Sequence, residues 1–111
     1  MKGHKRYNIA FYKLGNRFPV IEFMKSKNRQ GRAKINFFMD LLMEKGTDLL
    51  RPYGAYLRDK IWELRPGIGT EEYRMLYFFK DDLAVFVHAV DKKDFKRKDI
   101  DIAVKRMKEL I

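Results

Sequence analysis

Two arginines on neighbouring predicted strands are the first residues of this sequence whose type and spacing suit chemistry. Arg65 ends a Trp-Glu-Leu-Arg segment, and Arg74 lies near the start of an aromatic segment that also contains Tyr77. If the strands bring both guanidinium groups to one sheet surface, the pair can hold a phosphate and stabilise the charge that develops in phosphoryl transfer. An ion pair between Glu63 and either arginine is the structural alternative. Tyr77 could stack on a base, although a strand tyrosine more often belongs to the core.

His88 is the next candidate, because an imidazole can transfer protons near neutral pH. It lies in the apolar segment 85–90 and is followed by Lys92 and Lys93. At the end of a central strand it could act as a general acid or base, with a pKa lowered by the two cations. The alternative is a hydrogen-bonded structural histidine. The register of the strand hairpin does not follow from the sequence, so whether His88 shares a face with Arg74 stays open.

A basic segment at residues 92–98 precedes the last predicted helix. Its five cations surround Phe95. Such a segment could bind an RNA backbone through its charges and stack a base on the phenyl ring. A solvated loop is the alternative, because Asp91, Asp94 and Asp99 interrupt the positive charge.

Composition narrows the class of protein and of site. The chain has 111 residues and no cysteine, and His4 and His88 are its two histidines. A disulfide scaffold, a zinc ribbon, an iron–sulfur cluster and a thiol nucleophile are therefore excluded, and we expect no metal site and no cofactor. No apolar run approaches the roughly 20 residues of a membrane span, and the first residues lack the apolar core of a signal peptide. We therefore expect a cytoplasmic protein that does not insert into a membrane.

The charge of the chain is strongly positive and unevenly distributed. The formal net charge is +10, and residues 1–40, with 10 Lys or Arg and 2 Asp or Glu, contribute +8 of it. A surplus of this kind favours a polyanionic partner, such as nucleic acid, the ribosome or an acidic protein.

The hydrophobic pattern predicts one α+β domain over residues 1–111, with helices segregated from an antiparallel sheet. The predicted order is β-α-α-β-β-β-α. The two N-terminal helices form a hairpin, the three later strands form an antiparallel meander, and a helix closes the chain. The predicted strands cover residues 7–12, 56–65, 73–79 and 83–90, and the predicted helices begin at Pro19, Arg32 and Asp99.

Four segments in order resemble the RelE/ParE toxin superfamily, and within it the HigB-type, phage-derived branch. They are a Trp-Glu-Leu-Arg strand, a Tyr-Arg strand ending in aromatics, a strand end with His88 followed by a Lys-Lys pair, and a helix with Ala and Arg near its centre. In this sequence they occupy residues 57–65, 73–79, 87–93 and 102–107. The likeness covers about residues 18–110, and the chain departs from the family pattern at residues 89–90 and 94–97.

This resemblance implies a RelE-like fold and a type II toxin that cleaves messenger RNA on the ribosome, using the RNA's own 2′-hydroxyl and no metal. By position, Arg65 and Arg74 would hold the scissile phosphate, His88 would transfer a proton, and Lys92 and Lys93 would contact phosphate or protonate the leaving oxygen. The resemblance implies RNA or ribosome contacts at Arg58 and Lys60, and Tyr77 and Lys96 are expected to bind RNA from their residue types. The implied partners are the ribosome, messenger RNA and a cognate antitoxin, expected to be a small helix-turn-helix protein.

Two other functions stay open at this point. A ParE-like toxin would have the same fold and would poison DNA gyrase by binding alone. A small basic nucleic-acid-binding protein would have neither toxicity nor catalysis.

Overall fold

The computed structural model describes residues 6–111. The expectation that His4 takes no part in a metal site falls on the segment 1–5, which lies outside the described residues. The three helices are α1 (Pro19–Lys25), α2 (Arg29–Lys45) and α3 (Arg97–Leu110). The strands are β1 (Asn8–Phe11), β2 (Gly54–Arg58), β3 (Ile61–Leu64), β4 (Gly67–Ile68), β5 (Glu71–Lys80) and β6 (Leu83–Asp91). Short 3₁₀ turns follow α2 and β6, at Gly46–Asp48 and Lys92–Asp94.

The strands form one mixed sheet, so the predicted α+β class is confirmed. The sheet order is β1-β6-β5-β3-β2, with the short β4 paired to β5. The pairs formed by β2 to β6 are antiparallel, as predicted, whereas β1 pairs with β6 in parallel. The sequence pattern does not identify the strand that pairs with β1, because Asn8 lies opposite Leu83, which belongs to a distant segment of the chain.

The predicted single strand over residues 56–65 is wrong, because it is a hairpin of β2 and β3. The turn consists of Asp59 and Lys60, whose φ angles are 52° and 72°. Positive φ at both central residues is the geometry of a type I′ hairpin turn, for which Asn-Gly is the usual signal. Asp-Lys lacks that signal, so the alternating pattern on either side predicts one continuous strand.

The α1–α2 hairpin packs closely on one face of the sheet, partly because of Gly31. The sequence places Gly31 between the two helices, but α2 begins at Arg29, and the Asn28 side chain caps it by accepting a hydrogen bond of 2.8 Å from Gly31 N. A Cβ atom on Gly31 would lie 2.6 Å from the Tyr73 hydroxyl. The glycine therefore permits close approach of α2 to β5.

Two apolar clusters hold the three layers together. On the sheet face covered by α1 and α2, here called the hairpin face, the buried residues include Val20, Ile35, Leu42, Met75, Tyr77 and Phe86. On the opposite face, here called the α3 face, they include Ile61, Leu76, Phe78, Val87, Ala103 and Met107. Among residues 6–111, no helix combines the length and the apolar character needed to span a membrane.

Candidate functional site

The register of the central strands decides which candidate side chains can meet. Arg74 lies opposite Val90, and Leu76 lies opposite both His88 on β6 and Glu63 on β3. Residues directly opposite one another in antiparallel strands share a sheet face, as do alternate residues along one strand. Arg74, His88 and Glu63 therefore lie on the α3 face, which answers the question that the sequence left open.

A β-bulge in β6 lies immediately before His88. The pairing of β5 with β6 shifts between Leu76 and Tyr77, so that Val87 has no residue opposite it. The Arg106 guanidinium on α3 donates a hydrogen bond of 2.8 Å to the Val87 carbonyl. Bulges re-aim neighbouring side chains, and this one is fixed in place from α3.

Arg74 is almost completely buried, with 5% of its side chain exposed. Its Nε lies 3.5 Å from Glu63 Oε1, and its Nη1 donates to the Tyr73 carbonyl at 3.0 Å. Arg65 Nε lies 3.8 Å from the other oxygen of Glu63. The two guanidinium groups therefore converge, as predicted from the strand pattern, but they do so around a carboxylate, and the structural ion-pair alternative is also present.

This arginine pair has remaining capacity for an anion. Within residues 6–111, Arg65 Nε is a buried nitrogen with no hydrogen-bond partner, and both contacts to Glu63 are longer than the roughly 2.7–2.9 Å of a strong charged hydrogen bond. The two guanidinium groups are therefore held around Glu63, and Arg65 Nε lacks a hydrogen-bond acceptor among the described residues.

His88 is held by an aspartate from α3. Its Nε2 lies 2.8 Å from Asp99 Oδ1, and the other oxygen, Oδ2, accepts a hydrogen bond of 2.7 Å from the Lys96 backbone N–H. The exposed fractions of the His88 and Asp99 side chains are 16% and 7%. One carboxylate thus caps the first turn of α3 and fixes the imidazole of β6.

Burial lowers the pKa of His88, Asp99 opposes that shift through its hydrogen bond and its charge, and Arg106 lowers the pKa further. The sequence attributed a lowered pKa to Lys92 and Lys93. That cause is wrong, because burial is the main cause and Arg106 is the cation that contributes. The imidazole is therefore mainly neutral at pH 7, and it donates through Nε2 to Asp99, which leaves Nδ1 as the basic nitrogen.

Lys92 and Lys93 lie in the 3₁₀ turn at the end of β6, and both are exposed. Lys92 Nζ lies 3.6 Å from Glu72 Oε2, and Glu72 Oε1 lies 3.4 Å from Arg74 Nη1. The charge of Lys92 lowers the pKa of Glu72, burial opposes that shift, and Arg74 lowers the pKa further. Glu72 therefore joins Lys92 to the arginine pair. Lys93 makes no ion pair with any residue of the described chain.

The residues expected to contact RNA are not all at this site. Arg58 pairs with Asp59 and with Asp101 of α3, so its charge is already matched. Lys60 is exposed in the β2–β3 turn, where it borders a shallow depression of about 300 Å³ beside the end of α3. Lys96 is exposed immediately before α3 and close to Asp99.

Tyr77 does not fit the predicted role of a base-stacking residue. Its side chain is fully buried on the hairpin face, in contact with the rings of Phe79 and Phe86. Burial raises the pKa of Tyr77, so its hydroxyl keeps its proton. No ring face is available to RNA, and the residue belongs to the core, the alternative that the sequence had left open.

A surface cavity of about 510 Å³ adjoins the two lysines. Its walls come from the α1–α2 turn, the β4–β5 hairpin and the 3₁₀ turn after β6. The lining side chains include Lys27, Thr70, Glu71, Glu72, Lys92 and Lys93. Within residues 6–111, no cluster of three or more His, Asp or Glu side chains is arranged to hold a metal ion.

The sequence of the chain matches one known protein family. The sequence model of the phage-derived Gp49-like proteins (DUF891) matches residues 22–108. The chain belongs to this family. The Gp49-like family is part of the RelE/ParE-like toxin superfamily, so the resemblance is confirmed at that level, and a toxin-like family of this kind implies an antitoxin partner. No curated protein matches the chain in sequence.

The Gp49-like match contains every candidate site residue, from Arg58 to Lys96, and also Asp99. Asp99 was not singled out from the sequence, where it counted only as an interruption of the basic segment. The available signal was its position three residues after Lys96, at the start of a helix, where an acidic side chain commonly bonds back to the N-cap backbone.

Proposed function

We propose that this protein is the toxin of a type II toxin–antitoxin pair, of the HigB-like branch, and that it cleaves messenger RNA on the ribosome. The observation that carries the proposal is the strand register, which brings Arg74 and His88 to one face. Glu72 joins Lys92 to Arg74. That set combines cations for a phosphate with a neutral imidazole for proton transfer.

The proposed reaction is an attack of an RNA 2′-hydroxyl on its own 3′-phosphate. His88 Nδ1 accepts the hydroxyl proton, a bond forms between O2′ and phosphorus, and the bond from phosphorus to the 5′-oxygen of the next nucleotide breaks. The products are a 2′,3′-cyclic phosphate and a 5′-hydroxyl, which takes its proton from Lys92 or Lys93. The protein supplies orientation and charge, and the nucleophile belongs to the substrate.

Arg65 and Arg74 stabilise the negative charge of the phosphate in this reaction. Negative charge accumulates on the non-bridging phosphate oxygens in the transition state, and fixed cations stabilise it without reorganising. Arg74 is fixed by burial and by the Tyr73 carbonyl. Arg65, with 23% of its side chain exposed, is the arginine that substrate reaches first.

We expect the antitoxin that the family implies to cover a basic surface of this protein with an acidic surface of its own. The α1–α2 hairpin presents exposed cations at Lys25, Arg29 and Arg32, within the segment that holds most of the net charge. An acidic partner surface would neutralise them. The helix-turn-helix nature of that partner stays a prediction from the resemblance.

A translation reaction with purified protein tests the proposal. We expect cuts in messenger RNA only when ribosomes are translating it. His88→Gln should slow cleavage by about 10²–10⁴-fold and Arg65→Met by about 10²–10³-fold. Lys105→Met is the matched control for charge, because Lys105 is exposed on α3 and outside the site. Intact messenger RNA in the presence of folded protein would overturn the proposal.

One observation favours a second function, a ParE-like toxin that acts on DNA gyrase by binding alone. The guanidinium of Arg74 is buried and has Glu63, Glu72 and the Tyr73 carbonyl as partners, as expected of a structural arginine. This function predicts blocked supercoiling by gyrase, with inhibition unchanged in His88→Gln.

A further inference from the structure

The cavity beside Lys92 and Lys93 has a size suited to a small ligand. Its volume of about 510 Å³ falls in the range of roughly 300–1,000 Å³ typical of ligand pockets. Glu72 is part of its wall and also contacts Arg74 at 3.4 Å. Glu72 therefore connects the cavity to the proposed phosphate site.

Part of the cavity wall is fixed by contacts within the protein. The Lys27 ammonium lies 2.7 Å from Asp91 Oδ1 and packs over the rings of Phe23 and Tyr73, at 4.3 and 4.8 Å from their centroids. Its charge is matched, and its position is restrained from three directions. A ligand would meet this wall as a rigid surface.

Other groups that line the cavity remain available for hydrogen bonds. Tyr73 OH donates to Glu71 Oε1 at 3.2 Å, which orients the carboxylate while most of its hydrogen-bonding capacity stays free. The pKa of Tyr73 is raised by burial and by Glu71, so the hydroxyl keeps the proton that it donates. Glu71, Thr70 and Lys93 are exposed, and Lys93 has no ion pair within residues 6–111.

An oriented carboxylate and a free ammonium that line the same cavity fit one nucleobase better than the others. Guanine presents two adjacent N–H donors, at N1 and at the 2-amino group, next to the acceptors O6 and N7. A carboxylate accepts from both donors, and a lysine donates to O6 or N7. Adenine, cytosine and uracil each lack one of the two adjacent donors.

We propose that this cavity binds a guanine of the RNA strand adjacent to the cleaved phosphate, with Glu71 reading its Watson–Crick edge and Lys93 its O6 or N7, which leaves Lys92 as the proton donor to the leaving oxygen. The placement next to the cleaved phosphate rests on the proposed function. The guanine specificity rests on the cavity alone, so the two can fail separately.

Binding of free nucleotides tests the guanine specificity without any cleavage. The probes are the 5′-monophosphates of guanosine, inosine, adenosine, cytidine and uridine, titrated into the protein while the amide signals of Thr70, Glu71 and Lys93 are followed by NMR. Inosine lacks only the 2-amino group. We expect the guanosine nucleotide to bind at least about 5-fold more tightly than any other, the lower end of what a bidentate base contact provides.

The variant Glu71→Gln should abolish that preference, because an amide presents one acceptor where the carboxylate presents two. Glu44→Gln is the matched control, since Glu44 is exposed on α2 and remote from the cavity, and it should keep the preference. Equal binding of the guanosine and adenosine nucleotides, or an unchanged preference in Glu71→Gln, would overturn the proposal.

Cleavage mapping then tests the position of the guanine. Reporter messages that differ in one base beside the cut should be cleaved fastest with guanine there, and Glu71→Gln should reduce that advantage at least about 5-fold while cleavage continues. Cuts with no base preference in the wild type would reject the placement. Selective guanosine binding without any cleavage would support the guanine site and reject the proposed nuclease.

Discussion

His88 on β6 and Asp99 on α3 are joined by a contact of 2.8 Å between Nε2 and Oδ1, within a largely buried environment. Since Asp99 also accepts from the Lys96 backbone N–H, the orientation of the imidazole depends on the first turn of α3. The helix that covers the α3 face therefore also selects which imidazole nitrogen is basic.

The substitution Asp99→Asn should leave the His88 side chain in the protein and remove the carboxylate that positions it. Asp99 raises the pKa of His88 through a hydrogen bond and through charge, so Asp99→Asn should lower that pKa. The acid limb of the pH–rate profile should then move to lower pH, and the maximal rate should fall because the imidazole tautomer is no longer fixed. Rates measured from pH 5 to 8 and an NMR titration of His88 check both effects.

Asp94→Asn is the control for Asp99→Asn, because Asp94 is exposed in the 3₁₀ turn and has no ion pair in the described chain. It should leave the acid limb in place. An acid limb that stays unchanged in Asp99→Asn would show that His88 does not depend on Asp99.

The stability of the protein should decrease as the pH falls through the range just below 6.5. The pKa of His88 is lowered in the folded state relative to its ordinary value of 6.5, so the unfolded chain takes up a proton at a higher pH than the folded protein does. Stability rises with pH wherever the unfolded state binds more protons, so it is lost as the pH falls through this range. Denaturant unfolding of the wild type and of His88→Gln at pH 7.5 and 5.5 isolates this contribution. The wild type should lose more stability than the variant, and equal losses would contradict the prediction.

Glu63→Gln should have opposite effects on stability and on anion binding. Glu63 is 5% exposed and lies between Arg65 and Arg74, and loss of one partner of a buried ion pair costs about 3 kcal/mol. The amide no longer competes with phosphate for the guanidinium groups, so binding of a short RNA should tighten. Chemical unfolding and fluorescence anisotropy measure the two effects, with Glu44→Gln as the control. Weaker RNA binding in folded Glu63→Gln would contradict a phosphate site at the arginine pair.

The sequence predicted the layers of this fold better than the geometry of its site. Helix-period and strand-period patterns gave the α1–α2 hairpin, β5, β6 and α3, because their buried residues recur at regular spacing. The sequence did not predict the turn at Asp59-Lys60, because that turn lacks a glycine signal. It did not predict the parallel pairing of β1 either, because that pairing joins distant segments.

The site residues were found by type, but their arrangement depended on long-range register. Arg74 and His88 share a face only because Leu76 lies opposite His88 at the bulge, and no local pattern encodes that pairing. An RNA contact at Tyr77 is predicted from its residue type, yet Tyr77 lies on the opposite face in the core. Asp99 acts across the α3–β6 contact, which becomes visible only after both elements are placed.

The approach of Gly31 to Tyr73 gives a prediction about packing beside the proposed guanine cavity. A Cβ on Gly31 would lie 2.6 Å from the Tyr73 hydroxyl, so Gly31→Ala should destabilise the protein by about 1–3 kcal/mol through overpacking. That cost is expected although alanine is the better helix former by about 1 kcal/mol.

Tyr73→Phe removes the clashing oxygen and loses one hydrogen bond to Glu71, worth about 0.5–1.5 kcal/mol. In the double variant the clash is absent and the helix propensity gain remains, so its free energy of unfolding should equal or exceed that of Tyr73→Phe alone. Additive losses in this double-mutant cycle would show that the close approach of α2 to β5 does not depend on Gly31.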